Sequence, residues 1–473
     1  MRIPRQAPIE QPPAIRNHNF EEVSLGFNED LVTQEALRCL DCKNPVCIDG
    51  CPVSIDIPAF VRLVVEKKYL EAAKKIKEQC YIPAITGRVC PQERQCECEC
   101  LLGKKHKPLS IGKLERFVSD YERLYGDNTP PEIHARREEK IAIVGTGPAG
   151  LTCAAELAQR GYRVTMFEAL HAAGGVLRYG IPEFRLPKAI LDVEIENVKK
   201  LGVEIVTNFI IGRTATVDEL LDDFGFHAIF LATGAGSPNF QGIPGENLPG
   251  VYSASEFLTR VNFMRGYLFP EYDTPVKIGK RVAVVGGGNT AMDAVRTALR
   301  LGPEKAYLIY RRTKREMPAR AEEVDHALEE GVELHELTAP IRVISNDGRW
   351  VSKIECVKMQ LGEPGSDGRR KPVEIPNSNY ILEVDTVIIA IGQNPNPIIQ
   401  ATTPNLASTK KGTVVVDENG QTSREGVFAG GDLSRGGATV ILAMRDGKLA
   451  ATSIHQYLEK KAVEHHLAKT AVS

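Results

Sequence analysis

The sequence lacks an excess of charge of either sign. Lysine and arginine number 59 and aspartate and glutamate 61, which gives a formal net charge of −2 at pH 7. Proteins that bind nucleic acid or acidic surfaces carry a basic excess, so this balance gives no electrostatic support for a nucleic-acid partner. With 42% hydrophobic and 25% charged residues, the composition is typical of an ordinary soluble protein.

Long hydrophobic runs are also missing. No stretch approaches the roughly 18 apolar residues that a membrane span needs, and Met1–Pro8 has no apolar core of a signal peptide. We therefore expect a cytoplasmic protein without a membrane partner. The 473 residues are enough for two to four domains with a large core, so the fold needs no disulfides.

Cysteine is scarce outside one segment. Nine of the eleven cysteines lie between Cys39 and Cys100, and only Cys153 and Cys356 follow, each expected as a packed thiol. Because the cytosol keeps thiols reduced, a dense cysteine group predicts metal ligands rather than disulfides.

The cysteines form two groups with different spacing. They are Cys39, Cys42, Cys47 and Cys51, followed after two probable helices (Ile57–Val65 and Tyr69–Lys77) by Cys90, Cys96, Cys98 and Cys100. The first group resembles the bacterial ferredoxin pattern with two residues added between its second and third cysteines, a pattern whose fourth cysteine ligates the other cluster. Two iron–sulfur clusters in a helical segment of residues 1–125 are indicated. Zinc is the alternative, because eight thiolates could close two four-cysteine sites.

A glycine-rich turn follows this segment. Four apolar residues, Ile141–Val144, lead into Gly145, Gly147 and Gly150 in a G-x-G-x-x-G pattern, and Leu151–Arg160 is predicted to be a helix. Such a strand-to-helix turn aims backbone N–H groups at a pyrophosphate. Glu168 ends the next strand, 23 residues after Gly145, where a carboxylate accepts hydrogen bonds from an adenosine ribose. The turn therefore predicts a dinucleotide site, and a redox-inert zinc module directly before a flavin-type site would be hard to explain.

A second strand, glycine turn and helix occur at residues 281–293, with alanine in place of the third glycine. Its following strand ends in Arg311 and Arg312, at the position where the first unit has Glu168. Guanidinium groups match a 2′-phosphate with charge-assisted bonds, so we predict NADP(H), the alternative being a surface arginine pair without a ligand. Glu323, on the next helix, is a weaker candidate for the ribose on the nicotinamide side.

The chain then returns to the first unit. After a β-rich stretch from Leu334 to Leu382, the segments 385–393 and 426–432 repeat the earlier strand end at residues 227–234, and a helix is expected near Ala438. This predicts an α/β fold with two Rossmann-like dinucleotide-binding domains. The predicted domains are a helical double [4Fe-4S] domain (1–125), the first part of an FAD domain (126–275), an NADP(H) domain (276–384) and the second part of the FAD domain (385–473). Thioredoxin reductase shares this fold but needs a redox C-x2-C pair in the inserted domain, and none follows Cys100.

The predicted cofactor-binding residues fall into two sets. Those at the FAD side are Gly145, Gly147, Pro148, Ala149, Gly150, Glu168, Gly175, Leu177, Gly234, Gly431, Asp432 and Thr439. Those at the NADP(H) side are Gly286, Gly288, Asn289, Thr290, Asp293, Arg311 and Arg312, and Gly392 at the end of a returning strand completes the list. No catalytic acid or base is predicted, because hydride transfer between two cofactors requires alignment rather than proton transfer.

These motifs together resemble the glutamate synthase small-subunit family, which includes dihydropyrimidine dehydrogenase and the large subunit of NADH-dependent ferredoxin:NADP oxidoreductase, also called the sulfide dehydrogenase alpha subunit. The resemblance covers nearly the whole chain and implies metal ligands. It assigns Cys39, Cys42, Cys47 and Cys100 to one [4Fe-4S] cluster and Cys51, Cys90 and Cys96 to the other. Its fourth ligand lies in a motif matching Ile111–Glu115, which makes Glu115 the candidate. Cys98 is the alternative ligand, a solvated helix residue is the alternative role for Glu115, and Cys80 is expected to be a packed thiol.

The resemblance implies an oxidoreductase that moves electrons between NADP(H), FAD and two [4Fe-4S] clusters to a second redox subunit or a ferredoxin, in a hetero-oligomer. The opening residues 2–6 and the spacer between Cys47 and Cys51 are more similar to the NADH-dependent ferredoxin:NADP oxidoreductase large subunit. A glutamate synthase (NADPH) small subunit, feeding a glutamate-forming large subunit, is the first alternative. A scaffold that binds nucleotide without turnover is the second.

Overall fold

The N-terminal unit is helical, as predicted. In the computed structural model, residues 3–127, 133, 136–365 and 368–470 are described. The elements of this unit are β1 (Ile9–Glu10), α1 (Pro13–Arg16), β2 (Ser24–Gly26), α2 (Glu29–Ala36), α3 (Val46–Asp49), α4 (Ile57–Val65), α5 (Tyr69–Lys77), α6 (Pro83–Val89), 3₁₀ turns at Gln92–Arg94 and Leu101–Lys104, and α7 (Ile111–Tyr125).

Helices α4 and α5 have the bounds that the sequence predicts. The side chain of Asp56 caps α4 by accepting a hydrogen bond from the Ala59 N–H at 3.2 Å, and Pro58 occupies the first turn, where it removes no intrahelical bond. Phe60, Val61 and Val64 share one buried face of α4, so the helical spacing of apolar residues explains its orientation.

The first glycine turn opens a parallel α/β unit. Its elements are β3 (Lys140–Val144), α8 (Pro148–Gln159), β4 (Arg163–Phe167), α9 (Val176–Tyr179), α10 (Lys188–Lys200), β5 (Glu204–Val206), α11 (Val217–Asp222), β6 (Ala228–Leu231) and β7 (Ser237–Pro238). Strands β3 and β6 are apolar and buried along almost their whole length, as expected for parallel strands covered on both faces.

A second α/β unit is inserted into the first along the chain. It contains β8 (Val251–Ser253), α12 (Ala254–Leu258), a π-helical turn at Thr259–Phe263, a 3₁₀ turn at Gly266–Leu268, β9 (Arg281–Val285), α13 (Asn289–Arg300), β10 (Lys305–Ile309), a 3₁₀ turn at Lys314–Glu316, α14 (Ala321–Glu329) and β11 (Glu333–His335). The predicted β-rich stretch follows as β12 (Thr338–Ile344), β13 (Lys353–Pro364), β14 (Arg370–Glu374) and β15 (Tyr380–Glu383). In this antiparallel sheet β13 pairs with the other three strands.

The remaining elements complete the second sheet and return the chain to the first sheet. They are β16 (Thr386–Ile389), β17 (Gln393–Asn394), α15 (Ile398–Thr402), β18 (Val427–Ala429), α16 (Asp432–Arg435) and α17 (Val440–Thr470). The first five-stranded sheet has the order β18-β6-β3-β4-β5, and the second has the order β11-β10-β9-β16-β8. Because β18 pairs with β6, the first Rossmann-like unit is built from two separate segments of the chain.

Two domain boundaries in the structure differ from the predicted ones, as the strand pairing shows. Residues 251–253 were placed in the first unit, and residues 386–389 in its second part, yet β8 and β16 pair with each other in the second sheet. The inserted unit is therefore wider than 276–384. The error arises because β8 follows a loop without a glycine-turn signal, and its partner strand is distant in the sequence, with 136 positions from Val251 to Val387.

One hydrophobic core joins the N-terminal unit to the first sheet. It includes Phe60 and Ile76 from the helices together with Ile143 and Leu151 from the glycine-turn unit. Helix α17 also packs closely on α8, and a Cβ on Gly447 would overlap the carbonyl oxygen of Ala149. The cysteine-rich unit is thus part of a continuous interior with the first dinucleotide unit. Among the described helices, none is long and apolar enough to span a membrane.

Glu194 lies at the junction between these two units. It is 4% exposed on α10, and Oε1 accepts a hydrogen bond from Ala84 N–H of α6 at 3.0 Å. Burial raises the pKa of Glu194 to about 7, so the folded protein binds this proton more tightly than the unfolded chain does. The contribution of Glu194 to stability is therefore greatest below the ordinary glutamate pKa and falls as pH rises toward 7.

We expect Glu194→Gln to flatten this pH dependence. The variant should match the wild-type protein near pH 5 and be more stable at pH 8 by roughly 1–3 kcal/mol, because the amide is never ionised. Chemical denaturation at the two pH values measures the effect. Glu196→Gln on the same helix, where the side chain is exposed and paired with Lys199, is the control and should show no such change. A wild-type-like pH profile in Glu194→Gln would contradict the assignment.

Candidate functional site

The first cysteine set lines one cavity near the surface. Cys39, Cys42, Cys47 and Cys100 border a cavity that opens to solvent, together with apolar side chains that include Ile57 and Leu109. Burial raises the pKa of Cys47 to about 12, with further increases from Cys100 and Cys39. Bringing several thiols into one apolar pocket makes thiolates costly in the absence of a cation, so the donor set fits an iron–sulfur cluster.

The second set is deeper in the protein. Cys51, Cys90 and Cys96 are 5–8% exposed, and Glu115 is 5% exposed. Burial raises the pKa of each of these thiols, and the negative charge of Glu115 raises all three further, because it disfavours a second negative charge nearby. Burial also raises the pKa of Glu115 to about 7. The structure therefore brings Glu115 to the three cysteines with which the family resemblance groups it.

The alternative ligand Cys98 differs in its surroundings. Its side chain is exposed, whereas Cys80, expected to be a packed thiol, is fully buried and lies beside the second set. The Cys80 sulfur lies 3.4 Å from the hydroxyl oxygen of Thr86, and that hydroxyl donates a hydrogen bond to Glu115. Thr86 thus joins the carboxylate to Cys80, and neither contact was predicted from the sequence.

The spacing of the thiols bears on the zinc alternative. A tetrahedral zinc with bonds of about 2.3 Å to sulfur holds its sulfurs about 3.8 Å apart. Among the described residues, the one group with three ligand atoms within 4.8 Å of one another is Glu10, Glu322 and His326, and it contains no cysteine. The cysteine sets are spaced more widely than a single ion requires, which suits a larger cluster.

The second set also faces the first dinucleotide unit. Lys448 on α17 has its pKa lowered by burial, while Cys80 and Cys51 act on it in the opposite direction, so the ammonium group lies near these thiols. Its Nζ also donates to the backbone oxygen of Gln79 at 3.3 Å. Cys51, Cys90 and Cys96 share one hydrophobic core with α8 and α17 of the first dinucleotide unit, whereas the partly exposed set borders a cavity that opens to solvent.

The first glycine turn has the close contacts that a dinucleotide cradle needs. Gly145 has φ +106°, and a Cβ on Gly150 would overlap the Gly145 carbonyl oxygen. Beside Gly147, by contrast, a Cβ would have no protein atom within 4 Å. The turn is therefore closed on the protein side and open at the centre, as required for a pyrophosphate at the N-terminus of α8.

Glu168 lies at the end of β4, next to this turn. Its carboxylate accepts hydrogen bonds from the Thr146 N–H at 3.2 Å and the Leu170 N–H at 3.0 Å, and also from the Thr146 hydroxyl. Gly174 N–H donates to the same hydroxyl oxygen at 3.0 Å. Thr146 thus joins the turn, the carboxylate and the following loop, a role with no signal in the sequence.

Three further predicted residues converge on the turn. A Cβ on Gly175 would lie 2.9 Å from Gly147 Cα, and one on Gly431 would lie 3.2 Å from Ala149 Cβ. Asp432 follows Gly431 at the start of α16, and burial raises its pKa to about 6. Asp446 on α17 accepts the Gly431 N–H at 3.0 Å and holds this loop in place. Segments far apart in sequence therefore form one site.

The other predicted residues of this set occupy nearby segment ends. Gly234 follows β6 with φ +68°, Leu177 is fully buried on α9, and Thr439 directly precedes α17, where its hydroxyl oxygen accepts the Leu442 N–H at 3.4 Å. Gly392 lies just before β17, and its carbonyl oxygen accepts the Asn239 N–H at 3.0 Å. Gly392 therefore lies at the end of the antiparallel pair β7 and β17, which connects the two α/β units.

The second glycine turn repeats this geometry. A Cβ on Gly286 would overlap the carbonyl oxygen of Ala390, whereas one on Gly288 would have no protein atom within 4 Å. Asn289 and Thr290 begin α13. Asp293, one turn later, accepts a hydrogen bond from Arg185 at 2.6 Å, and burial raises its pKa to about 6. Asp293 therefore links the second turn to the loop that follows the first.

Arg311 and Arg312 have different environments at the end of β10. Arg311 is exposed and, within the described part of the chain, its side chain makes no hydrogen bond or ion pair. Arg312 is 8% exposed, and its Nε donates to the Arg370 carbonyl oxygen at 2.7 Å. One guanidinium is therefore available to a ligand, and the other already supports β14.

Glu323 occupies a different position from the one predicted. It is 5% exposed, pairs with Arg185 at 3.1 Å, and accepts a hydrogen bond from Arg296. Burial opposes its ionisation, but these guanidinium groups lower its pKa to about 2. The carboxylate is engaged between the units, which corrects the prediction that it faces a ribose; the arginine partners are distant in sequence, so the motif alone could not show them.

Two families match the chain. Residues 16–126 match dihydropyrimidine dehydrogenase domain II, 4Fe-4S cluster, and residues 139–447 match pyridine nucleotide-disulphide oxidoreductase. In structure the chain is similar to FprA from Mycobacterium tuberculosis in complex with NADPH, with a TM-score of 0.59 and 20% identity over 71% of this chain and 89% of that one. This likeness confirms the fold of two dinucleotide-binding units.

Relatives in sequence extend the match to the N-terminal unit. The chain is 36% identical over 462 residues to the glutamate synthase [NADPH] small chain of Halomonas elongata, covering 97% of each. It is 41% identical over 442 residues to the NADP(+)-dependent formate dehydrogenase subunit beta of Moorella thermoacetica, covering 88% of this chain but only 60% of that longer relative. The expected resemblance is confirmed, and so are the predicted FAD, NADP(H) and [4Fe-4S] cofactor classes. The chain belongs to the glutamate synthase small-subunit family, with a 4Fe-4S domain preceding a flavoprotein of the pyridine nucleotide-disulphide oxidoreductase type.

Proposed function

We propose that this chain is the NADP(H)-dependent subunit of an iron–sulfur flavoenzyme that exchanges electrons with a partner redox subunit or a ferredoxin. The observation that supports it best is that both cysteine sets adjoin the hydrophobic core of the first glycine-turn unit. Cys51, Cys90 and Cys96 belong to the same core as Leu151 of α8 and Met444 of α17, and the other cysteine set borders a cavity that opens to solvent. When bound, the cofactors supply hydride chemistry at the flavin and one-electron transfer at the clusters.

The chain's own residues would hold these groups as follows. Cys39, Cys42, Cys47 and Cys100 would ligate the outer [4Fe-4S] cluster. Cys51, Cys90, Cys96 and Glu115 would ligate the inner one, with Thr86 orienting the carboxylate through its hydrogen bond. Each of these two sets contains four ligands, which supports a count of two [4Fe-4S] clusters in the N-terminal unit.

The two glycine turns would hold different dinucleotides. The turn at Gly145–Gly150, closed by Gly175 and Gly431, would bind FAD, with Glu168 at the adenosine ribose. The turn at Gly286–Asn289 would bind NADP(H), with Arg311 at the 2′-phosphate. These turns orient the two cofactors, and the surrounding buried strands exclude water from their inner faces.

For the partner, we propose that this chain acts as the large subunit of an NADH-dependent ferredoxin:NADP oxidoreductase. The support is the similarity of residues 2–6 and of the spacer between Cys47 and Cys51 to that subunit. A glutamate synthase small subunit is the second candidate, because the match with the Halomonas elongata glutamate synthase [NADPH] small chain covers 97% of both chains. In both cases the protein would work in a hetero-oligomer.

The proposal predicts cofactor content and an activity. Purified without oxygen, the protein should carry FAD and about eight irons per chain, as two four-iron clusters require. It should also reduce an artificial dye with NADPH, which a nucleotide-binding scaffold would not do. Zinc in place of iron, or absence of flavin, would refute it.

The choice of partner needs a separate measurement. The reduced protein is mixed either with ferredoxin and the small subunit of a ferredoxin:NADP oxidoreductase or with a glutamate synthase large subunit, and electron transfer to each is followed. We expect transfer in the first mixture. Transfer only to the glutamate synthase subunit would replace the first candidate by the second.

A further inference from the structure

The segment Met317–Ala321, here called the bridge segment, is attached to the second glycine turn. The Ala319 N–H donates to the Gly287 carbonyl oxygen at 3.2 Å, and the Arg320 N–H donates to Asn289 Oδ1 at 2.8 Å. Gly287 and Asn289 belong to the turn proposed to hold the NADP(H) pyrophosphate. A change in that turn therefore reaches the bridge segment through two direct hydrogen bonds.

The other side of the bridge segment is attached to the loop between Cys90 and Cys96. The guanidinium of Arg94 donates to three successive backbone carbonyls, at 2.9 Å to Pro318 and at 3.0 Å to both Met317 and Ala319. Because the guanidinium is a planar fork, its donors keep a fixed geometry relative to these carbonyls. Arg94 thus holds the bridge segment as a unit.

Two additional contacts strengthen this attachment. The Ala321 N–H donates to the Glu93 carboxylate at 3.1 Å, and Arg320 Nη1 donates to the Arg88 carbonyl oxygen at 2.7 Å. Arg88 lies two residues before Cys90, and Glu93 lies three residues after it. The contacts therefore converge on both sides of a proposed cluster ligand.

Inside the cysteine loop the path continues to Glu115. Gln92 is 3% exposed, and its amide donates to the Thr86 carbonyl oxygen at 3.2 Å. The hydroxyl of Thr86 in turn donates to Glu115. Gln92 and Thr86 are buried, and because protein interiors are closely packed, a displacement of the loop between Cys90 and Cys96 is transmitted toward the ligand atoms rather than absorbed by voids.

We propose that Arg94 is a positioning residue that couples nucleotide occupancy at the second glycine turn to the electronic state of the inner cluster. This inference rests on the proposed function. Nucleotide binding changes the turn, and the bridge segment and Arg94 carry the change to the loop that holds two of the inner cluster's ligands. By thermodynamic linkage, the nucleotide shifts the reduction potential of that cluster, and reduction of the cluster changes nucleotide affinity by the same factor.

The test is a redox titration of the intact protein, followed by electron paramagnetic resonance, with and without 2′-phospho-ADP-ribose. This probe keeps the phosphates but lacks nicotinamide, so it accepts no hydride. The signal of the inner cluster is identified as the one that changes in Glu115→Cys. In the wild-type protein we expect a roughly tenfold coupling, which is about 59 mV for a one-electron couple.

Arg94→Ala should remove most of this shift. Arg94 is exposed, so its truncation opens no cavity in the core. Arg342→Ala, which removes an exposed arginine paired with Glu355 at 2.8 Å, is the matched control and should keep the wild-type shift. If Arg94→Ala loses iron, Arg94→Lys is titrated in its place. Lysine keeps the positive charge but lacks the planar guanidinium group, so we expect the probe to shift the reduction potential of the inner cluster less than in the wild-type protein.

Two results overturn the proposal: no shift in a wild-type protein that binds the probe, or an unchanged shift in the Arg94 variants. Iron content and probe affinity are measured on the same samples. A wild-type protein that lacks iron or does not bind the probe refutes the proposed function as well, which separates the two failures.

Discussion

Replacing Glu115 by alanine is expected to remove one of two clusters, lowering the iron content from about eight to about four per chain. In the proposed inner site, Cys51, Cys90 and Cys96 would supply three thiolates, and the buried Glu115 carboxylate would supply the fourth donor. Its loss leaves the cluster one protein ligand short. Iron analysis and the paramagnetic signals of the reduced protein measure the effect.

The structure calls for two companion variants. Because Cys80 lies beside Glu115 and could take its place as a ligand, Glu115→Ala should also be made together with Cys80→Ser. Cys98→Ala is the matched control, and since that thiol is exposed we expect about eight irons and unchanged dye reduction.

Glu115→Cys, finally, should keep the iron and alter only one of the two signals, since thiolate and carboxylate tune a cluster differently. Retained FAD would show that each variant is folded. Loss of a cluster in Cys98→Ala together with its survival in Glu115→Ala would show instead that the inner site is an ordinary four-cysteine one.

The second large effect is expected at Arg311 and Arg312. Replacing both by alanine should weaken NADP⁺ binding by about 2–4 kcal/mol, since up to two charge-assisted contacts to the 2′-phosphate are lost. This corresponds to a roughly 30- to 700-fold rise in the dissociation constant. NAD⁺ lacks that phosphate, so its affinity should change much less. Calorimetric titration of the oxidised protein with both nucleotides avoids turnover.

The single variants refine this prediction. Arg311 is exposed and available, so Arg311→Ala should account for most of the selectivity. Arg312 supports β14 through the Arg370 carbonyl oxygen, so Arg312→Ala should also lower stability. Arg349→Ala, which removes the same charge from an exposed loop, is the control. Equal losses for the two nucleotides would show that the pair does not recognise the 2′-phosphate.

Local patterns were enough to predict most elements that carry a motif. The helices at Ile57–Val65 and Tyr69–Lys77 have the predicted bounds, and both glycine turns lie between a strand and a helix. Apolar periodicity and glycine spacing act over a few residues, so a sequence shows them directly. The cysteine groups read from spacing, in contrast, do not coincide with the two sets in the structure, because Cys51 is buried with the inner set and Cys100 lines the outer cavity.

Contacts between distant segments could not be predicted in this way. Strand β8 belongs to the second sheet because it pairs with β16, and Glu323 turned out to be engaged by Arg185 and Arg296. Cys80 and Thr86 are placed around Glu115 by the packing of α6 against α7. No short-range pattern encodes these partners.

The sequence by itself determined the two dinucleotide turns, the cysteine-rich unit and the family, because each depends on residue types at short, fixed spacings. Only the tertiary structure decided which arginine is available to a nucleotide, how Glu115 and the buried thiols are grouped, and that Arg94 joins the cysteine loop to the second turn. The physical reason is that burial and hydrogen bonding depend on segments that meet only after folding. The three carbonyls that Arg94 holds lie more than 220 residues along the chain from it.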